Sequence, residues 1–471
     1  MRLLPALLVA LALLGGAPTT GAAQSTDTPV GVRPSPEHPR YWQYDGEATL
    51  LVGGSREDNL FQIDSLEAHL DRLAAVGGNY VRNTMSSRDA GDAWPFHRRA
   101  DGTYDLERPN EDYYRRLERL LRLAEERDIV VQIELWDRFD FAREPWLENP
   151  FRPANNVNYT ADEIGLDNRY PEHPGSNNNP FFRAIPAQND NRRLLRYQEA
   201  RIGRLLDVSL QFPNVLYVID NETSATPDWG AYWAQFIRDR ADAADRRVQI
   251  TEMWDDWDLR GEQHRRTLEH PERYDYADIS QNNHQSGQDH WDNLMWVRRY
   301  TAERPWILNN VKIYGADTGE YGTTRDGVER FWRSILGGSA SARFHRPTSG
   351  LGLNATVRSH LRSARRLLDR FDLFAARPDS TGRRLSGRAP NEAYLSAVPG
   401  EQYAVYVPDG GAVRLALGEE TAGTSYRLAW LDLEDSTWRA ERRVEGGGPV
   451  RLEAPGEGHW IALLTDAASS P

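Results

Sequence analysis

The sequence predicts an α/β protein: a (β/α)8 barrel followed by an antiparallel β-sandwich. Three observations carry this. Eight strand-like apolar runs between Thr49 and Arg343 are mostly separated by stretches of helical periodicity. Almost every run ends in polar or aromatic residues, as expected where strand ends share one mouth. Beyond Phe374 the pattern changes to short strands between Gly- and Pro-rich turns. Strand–helix alternation implies a parallel sheet with right-handed crossovers. An open doubly wound sheet is the alternative, and it accounts less well for the polar strand ends.

The first run, Thr49 to Gly53, precedes a helix in which Asp64 and Glu67 have capping-box spacing. Leu66, Leu70, Leu73 and Val76 form its apolar stripe, and Gly77-Gly78 ends it. The second run is Tyr80 to Asn83. Its helix, Glu111 to Arg127, carries Tyr114, Leu117, Leu121 and Ala124 at helical spacing. The third run is Ile129 to Glu134. A helix from Asn191 to Gln211 leads to the fourth, Val215 to Ile219, an unbroken apolar run of the kind buried on both faces. A helix from Asp228 to Ala244 leads to the fifth, Val248 to Glu252. Ala277 to Ser280, Trp306 to Asn310 and Ser339 to Arg343 complete the set, the last after a helix from Thr324 to Leu336.

Residues Arg138 to Gln188 follow the third run and are too many for an ordinary connection. Their Asn, Pro, Trp and Phe content suits an ordered lid over the C-terminal barrel face. After a helix near Ala355 to Phe374, the runs Tyr403–Val407, Val413–Leu417, Tyr426–Leu431 and His459–Leu464 read as sandwich strands. The expected division is a signal peptide over 1–23, a barrel over 24–380 and a sandwich over 381–471.

Arg2, an apolar run from Leu3 to Leu14 and small residues up to Ala23 have the form of a secretory signal cleaved after Ala23. The run is shorter than the roughly 20 residues a membrane span needs. A secreted or periplasmic monomer with no membrane anchor is expected. With no cysteine there is no disulfide framework. The net charge of −13 argues against nucleic-acid or anionic-membrane partners. No Gly-x-Gly-x-x-Gly or Walker loop follows a strand, and no metal-ligand spacing occurs, so no cofactor is expected. Among 57 basic residues Lys312 is the only lysine. Where arginine is so dominant, one lysine is a candidate for a site that needs a compact ammonium.

The strand ends carry the chemistry. The second offers Arg82 and Asn83; the third Glu134, Trp136 and Asp137; the fourth Asn221 and Glu222. The fifth offers Glu252, Trp254 and Asp255; the sixth Asn283 and His284; the seventh Lys312 and Tyr314. Carboxyl groups suit acid–base work on a glycosidic bond, amides and acids bind hydroxyls, and indole faces accept the C–H side of a sugar. Each residue also has a structural reading: Arg82 as a brace of the barrel, His284 as packing, and Trp136 and Trp254 as core.

Here the chain resembles the large clan of (β/α)8 glycoside hydrolases, whose acid/base is the Glu of an Asn-Glu pair ending strand four; Asn221-Glu222 matches it. More closely it is similar to apiosidase-like, cellulase-like barrels with a C-terminal β-sandwich labelled collagen-binding. That similarity rests on His38-Pro39-Arg40-Tyr41-Trp42-Gln43-Tyr44-Asp45-Gly46 and on Leu336-Gly337-Gly338-Ser339-Ala340. In the sandwich it rests on Tyr406-Val407-Pro408-Asp409-Gly410-Gly411, Trp430-Leu431-Asp432 and Pro455-Gly456-Glu457-Gly458-His459-Trp460. The resemblance implies hydrolysis of a polysaccharide or oligosaccharide with Glu222 as general acid/base. It also implies a nucleophilic Glu ending strand seven, and there this chain departs: no carboxylate lies on that strand, and Lys312 stands near the place.

Three accounts follow. Glu320 folds back as nucleophile, about 5–5.5 Å from Glu222. Or the enzyme inverts, with Glu134, Asp137, Glu252 or Asp255 as base at about 6.5–9.5 Å. Or Lys312 binds an anionic sugar and lowers the pKa of neighbouring acids. The rival functions are a non-catalytic carbohydrate-binding barrel and a lyase using Lys312 as base on a uronate.

Overall fold

The computed structural model describes residues 31–317, 321–439 and 441–468; the expected signal segment 1–23 lies outside them. Parallel strands form where the apolar runs lie: β1 (Leu51–Gly54), β2 (Tyr80–Thr84), β3 (Val130–Asp137) and β4 (Val215–Asn221). They continue with β5 (Ile250–Thr251), β6 (Ala277–Asp278), β7 (Leu308–Asn309) and β8 (Ser341–Phe344). One curled sheet has the order β5-β4-β3-β2-β1-β8, and β6 pairs with β7. Backbone bonds bridge both breaks, from Asp275 N–H to Ile250 O (2.9 Å) and from Ala340 N–H to Leu308 O (2.8 Å). β8 lies beside β1, so the first and last strands are neighbours, as in a closing barrel. Every residue of β2, β3 and β4 is buried; the first five residues of β4 are a continuous apolar run, whereas β2 and β3 also bury Arg82, Gln132 and Glu134.

Helices alternate with the strands: α1 (Leu66–Ala74), α2 (Glu111–Glu125), α3 (Arg192–Ser209) and α4 (Pro227–Ala243). Then come α5 (Glu262–Leu268), α6 (Gly287–Tyr300), α7 (Thr324–Leu336) and α8 (Ala355–Leu368). The capping box expected at Asp64 and Glu67 does not form. The N-cap of α1 is Ser65, and no side chain caps it, because the helix starts one residue too late for that spacing. A capping box does form at Thr323 and Asp326 of α7.

Before β1, strands Arg33–Pro34, Trp42–Tyr44 and Glu47–Thr49 make a small antiparallel sheet. It drives Trp42 into the barrel, where the indole is 0 % exposed. Its Nε1 donates to Asn309 Oδ1 (2.9 Å), and its ring meets the edge of Tyr276 at 5.2 Å. Tyr80 and Gln132, near the starts of β2 and β3, complete this layer through a 2.6 Å hydrogen bond.

Segment 138–188 is ordered by its own aromatic cluster: Phe141, Trp146, Phe151, Tyr170, Phe181 and Phe182 are all buried. The cluster continues into Trp229 and Trp233 of α4. Most of the segment therefore packs against the outside of the barrel, and its His173–Asn177 stretch reaches the rim near Arg138 and Asp255.

Beyond α8, a larger antiparallel sheet includes Tyr394–Val398, Gln402–Val407, Trp460–Asp466 and Ser425–Asp432. It faces a smaller one of Leu385–Ser386, Ala412–Ala416 and Pro449–Glu453. Leu395, Val405, Leu415, Leu428, Leu452 and Leu464 form their shared core. The other face of the larger sheet, with Tyr406, Leu431, Ile461 and Leu463, joins the core of the barrel. Trp42→Ala removes a fully buried ring and should destabilise the protein by roughly 3–5 kcal/mol. Denaturant titration checks this, and a change under about 1 kcal/mol would show that Trp42 is not a structural plug.

Candidate active site

The rim stands on buried charges. Arg82 of β2 is 1 % exposed. It donates to both carboxylate oxygens of Glu134 (2.5 and 2.6 Å) and to Asp58 Oδ1 (2.6 Å). Such charges are tolerated inside a protein when paired and hydrogen-bonded. The expectation that Arg82 and Glu134 face substrate is therefore corrected: each saturates the other, and Glu134 is not a free base. Asp137, at the end of β3, is likewise committed. It pairs with Arg88 and accepts from Asn221 Nδ2 at 3.0 Å.

Asn221 ends β4 and links that pair to the next. Its Oδ1 accepts from Lys312 Nζ at 2.5 Å. Glu222 follows with φ +57°, a left-handed conformation that costs energy in a residue with a side chain. Its Oε1 lies 2.6 Å from Lys312 Nζ and accepts the Tyr314 hydroxyl at 3.4 Å. The Lys312 side chain is 2 % exposed and that of Glu222 14 %. A compact ammonium serves two oxygens here where a planar guanidinium would need a wider fork.

Burial alone would raise the Glu222 pKa. The charge and hydrogen bond of Lys312, with Arg82 behind, outweigh it and bring the carboxyl down to about 2. The expected role of Glu222 was general acid/base, and the ion pair bears on the acid half of it. A carboxyl held ionised has no proton to give at neutral pH, so it is suited to an anionic role and not to that of general acid. Lys312 was expected to bind an anionic sugar or to act as a base; two of its three N–H donors are taken by Asn221 and Glu222. Across the rim, Asp255 is pushed the other way, by burial and then by the charge of Glu222. Two carboxyl groups whose environments separate their pKa values are the usual mark of an acid and its anionic partner.

His284 is lowered to about 4 by burial, so it is neutral at ordinary pH. Its ring stacks on Trp257 at 4.0 Å and 15°, and meets Tyr314 edge-on at 5.3 Å. Trp257 was not singled out from the sequence. The available signal was one large aromatic within Asp255-Asp256-Trp257-Asp258, where nothing apolar is needed for a strand or helix.

Other expected ligands lie elsewhere. Trp136 is 0 % exposed among Phe141, Phe181, Trp229 and Trp233, so it is core and not a platform. Trp254 is also buried, and its Nε1 donates to Thr267 Oγ1 at 2.9 Å. Glu252 accepts from the backbone of Asp220 (2.9 Å) and Met253 (3.1 Å). Burial and the neighbouring Asp220 raise its pKa, and it braces β4 against β5 instead of facing solvent. Asn283 is fully buried, with its amide held by Asn310 (2.6 Å) and Ser280 (2.9 Å). Glu320 lies outside the described residues. Among the described residues no group of His, Asp and Glu could hold a metal ion.

No family model matches this chain, and no curated protein matches it. Solved structures do. The chain is similar to a glycoside hydrolase family 5 protein from Bacteroides vulgatus ATCC 8482, at 11 % identity over 93 % of each chain, with a TM-score of 0.64. It is also similar to a protein described as a glycoside hydrolase, at 13 % identity over 93 % of this chain and 98 % of that one, with a TM-score of 0.64. At such identities the likeness is one of fold alone: the chain shares the architecture of these solved structures.

Lys312→Met removes the charge that offsets burial. The Glu222 carboxyl should then titrate higher than its present value of about 2. Carbon-13 NMR titration of that carboxyl in both proteins reads the shift, and an unmoved midpoint would contradict the ion pair.

Proposed function

We propose that this protein is a secreted or periplasmic glycoside hydrolase acting on a polysaccharide or oligosaccharide. Its reaction centre is Glu222, held anionic by Lys312, with Asp255 as proton donor. The single observation that carries this reading is the opposed environments of these two carboxyl groups on the rim of a glycoside hydrolase-type barrel. Asp255 gives its proton to the glycosidic oxygen as that bond breaks. Glu222 faces the positive charge that develops at the anomeric carbon. Water then bonds the anomeric carbon, and the proton it releases restores Asp255. Tyr314, donating to Glu222, positions the carboxylate. No helix among the described residues is long and apolar enough to cross a membrane.

The sequence motifs support a finer assignment, to the apiosidase-like and cellulase-like barrels with a sandwich over 381–471. A non-catalytic carbohydrate-binding barrel is the second reading. It draws on one observation, that Lys312 already neutralises Glu222.

A screen of polysaccharides with product analysis separates the two, since only a hydrolase releases new reducing ends. On a cleaved substrate, Glu222→Gln and Asp255→Asn should each lower kcat by roughly 10²–10⁴-fold. Raising the pH deprotonates Asp255, so activity should fall on the alkaline side, and that limb should vanish in Asp255→Asn. Full turnover by Glu222→Gln would end the proposal.

A further inference from the structure

Trp257 is 56 % exposed, although it follows the end of β5 by only a few residues. Single exposed apolar side chains are ordinary on protein surfaces, but this one is held in place. One face of the indole lies flat on His284, which is wedged edge-on against Tyr314 and Tyr321. Tyr314 and Tyr321 stack at 4.5 Å, and the Tyr314 hydroxyl reaches Glu222. A column of rings thus runs from the carboxylate to an exposed indole that, among the described residues, stacks on no ring but His284. The loop below is anchored as well: Leu259 is fully buried, and the His264 ring bonds the Asp256 carbonyl at 2.7 Å.

In front of the indole is an open depression of about 610 Å3, lined by His173, Asp255, Asp256, Trp257, Asp258 and Gln285. That volume is within the usual range for a small-molecule site. Its polar groups are mostly acids. They accept hydrogen bonds from hydroxyl groups and repel anions, and no arginine or lysine lines the depression among the described residues.

We propose that the outer face of Trp257 is a stacking platform for a sugar unit neighbouring the one at Glu222. The glycan it selects is neutral, not a uronate or a sulfated chain. This rests on the hydrolase reading and adds to it a binding position and a substrate class. The indole takes the C–H face of the ring, Asp256 and Asp258 take its hydroxyls, and the column behind keeps the indole aligned with the reaction centre.

The test uses the full-length Glu222→Gln protein, so that binding is read without turnover. The probes are neutral gluco-, manno-, xylo- and galacto-configured hexasaccharides, with hexagalacturonate as the anionic arm, measured by titration calorimetry. At least one neutral hexasaccharide should bind, and hexagalacturonate should not. Adding Trp257→Ala should weaken that binding about tenfold, the worth of one ring stack. Adding Trp257→Phe, which keeps an aromatic face, should restore most of it. Undiminished binding after Trp257→Ala, a preference for hexagalacturonate, or no binding of any neutral probe would each overturn the proposal. The two readings fail separately. If the parent protein cleaves a neutral glycan that Trp257→Ala binds undiminished, the platform falls and hydrolysis stands. If Trp257-dependent binding occurs without turnover by the unmutated protein, the platform stands and hydrolysis falls.

Discussion

The contact between Lys312 and Glu222 sets the terms for everything around it. A carboxylate on a mostly enclosed rim is costly unless a partner charge compensates it. Here the partner comes from the chain just beyond β7, at the far side of the mouth from β4. The pair favours the ionised form of Glu222, while burial and then the Glu222 charge raise the pKa of Asp255 against the opposing charge of Lys312. It also draws in Asn221, Asp137 and Arg88, so that the ends of β3, β4 and β7 are tied by one run of hydrogen bonds. The strained backbone at Glu222 fits this picture, since a left-handed residue persists only where its surroundings hold it.

Below the rim the barrel separates its polar groups by function. Arg82, Glu134 and Asp58 satisfy one another and leave little for a ligand, but they supply positive charge beneath Glu222. Behind β3 and β4, Asp220 and Glu252 share a buried pocket with Arg138. Gly230 of α4 makes room for them: a Cβ there would lie 2.6 Å from the Tyr274 hydroxyl and 3.1 Å from Glu252. Acids that look alike along the chain thus divide into buried braces, such as Glu134 and Glu252, and groups that reach the rim, such as Glu222 and Asp255. One C-terminal sheet contributes residues to both its own core and the core of the barrel.

Much of the fold was legible in the chain. Every strand of the barrel lies within three residues of one of the runs, because strands buried on both faces are mostly apolar even where Arg82, Gln132 and Glu134 interrupt them. α5 and α6 were not legible; α5 spans only Glu262–Leu268, and the stripe of α6 is broken by Asp292 and Asn293. The site was legible only in part. Asn221, Glu222, Asp255, Lys312, Tyr314 and His284 do meet at the rim, whereas Trp136, Trp254, Glu252 and Asn283 are interior. Position after a strand tells that a residue is near the mouth, but a rotation of one residue about the strand axis moves it from mouth to core.

By itself, the sequence determined the order of the barrel strands and of every barrel helix except α5 and α6, the change to an antiparallel region after α8, and the singularity of Lys312. Those are properties of local periodicity and composition, which one-dimensional patterning records directly. Only the tertiary structure decided that Lys312 pairs with Glu222, that the carboxyl is therefore anionic, and that Trp257 rather than Trp136 or Trp254 offers an exposed ring. Electrostatic effects depend on distance and enclosure between residues some ninety positions apart, and no spacing along the chain encodes either.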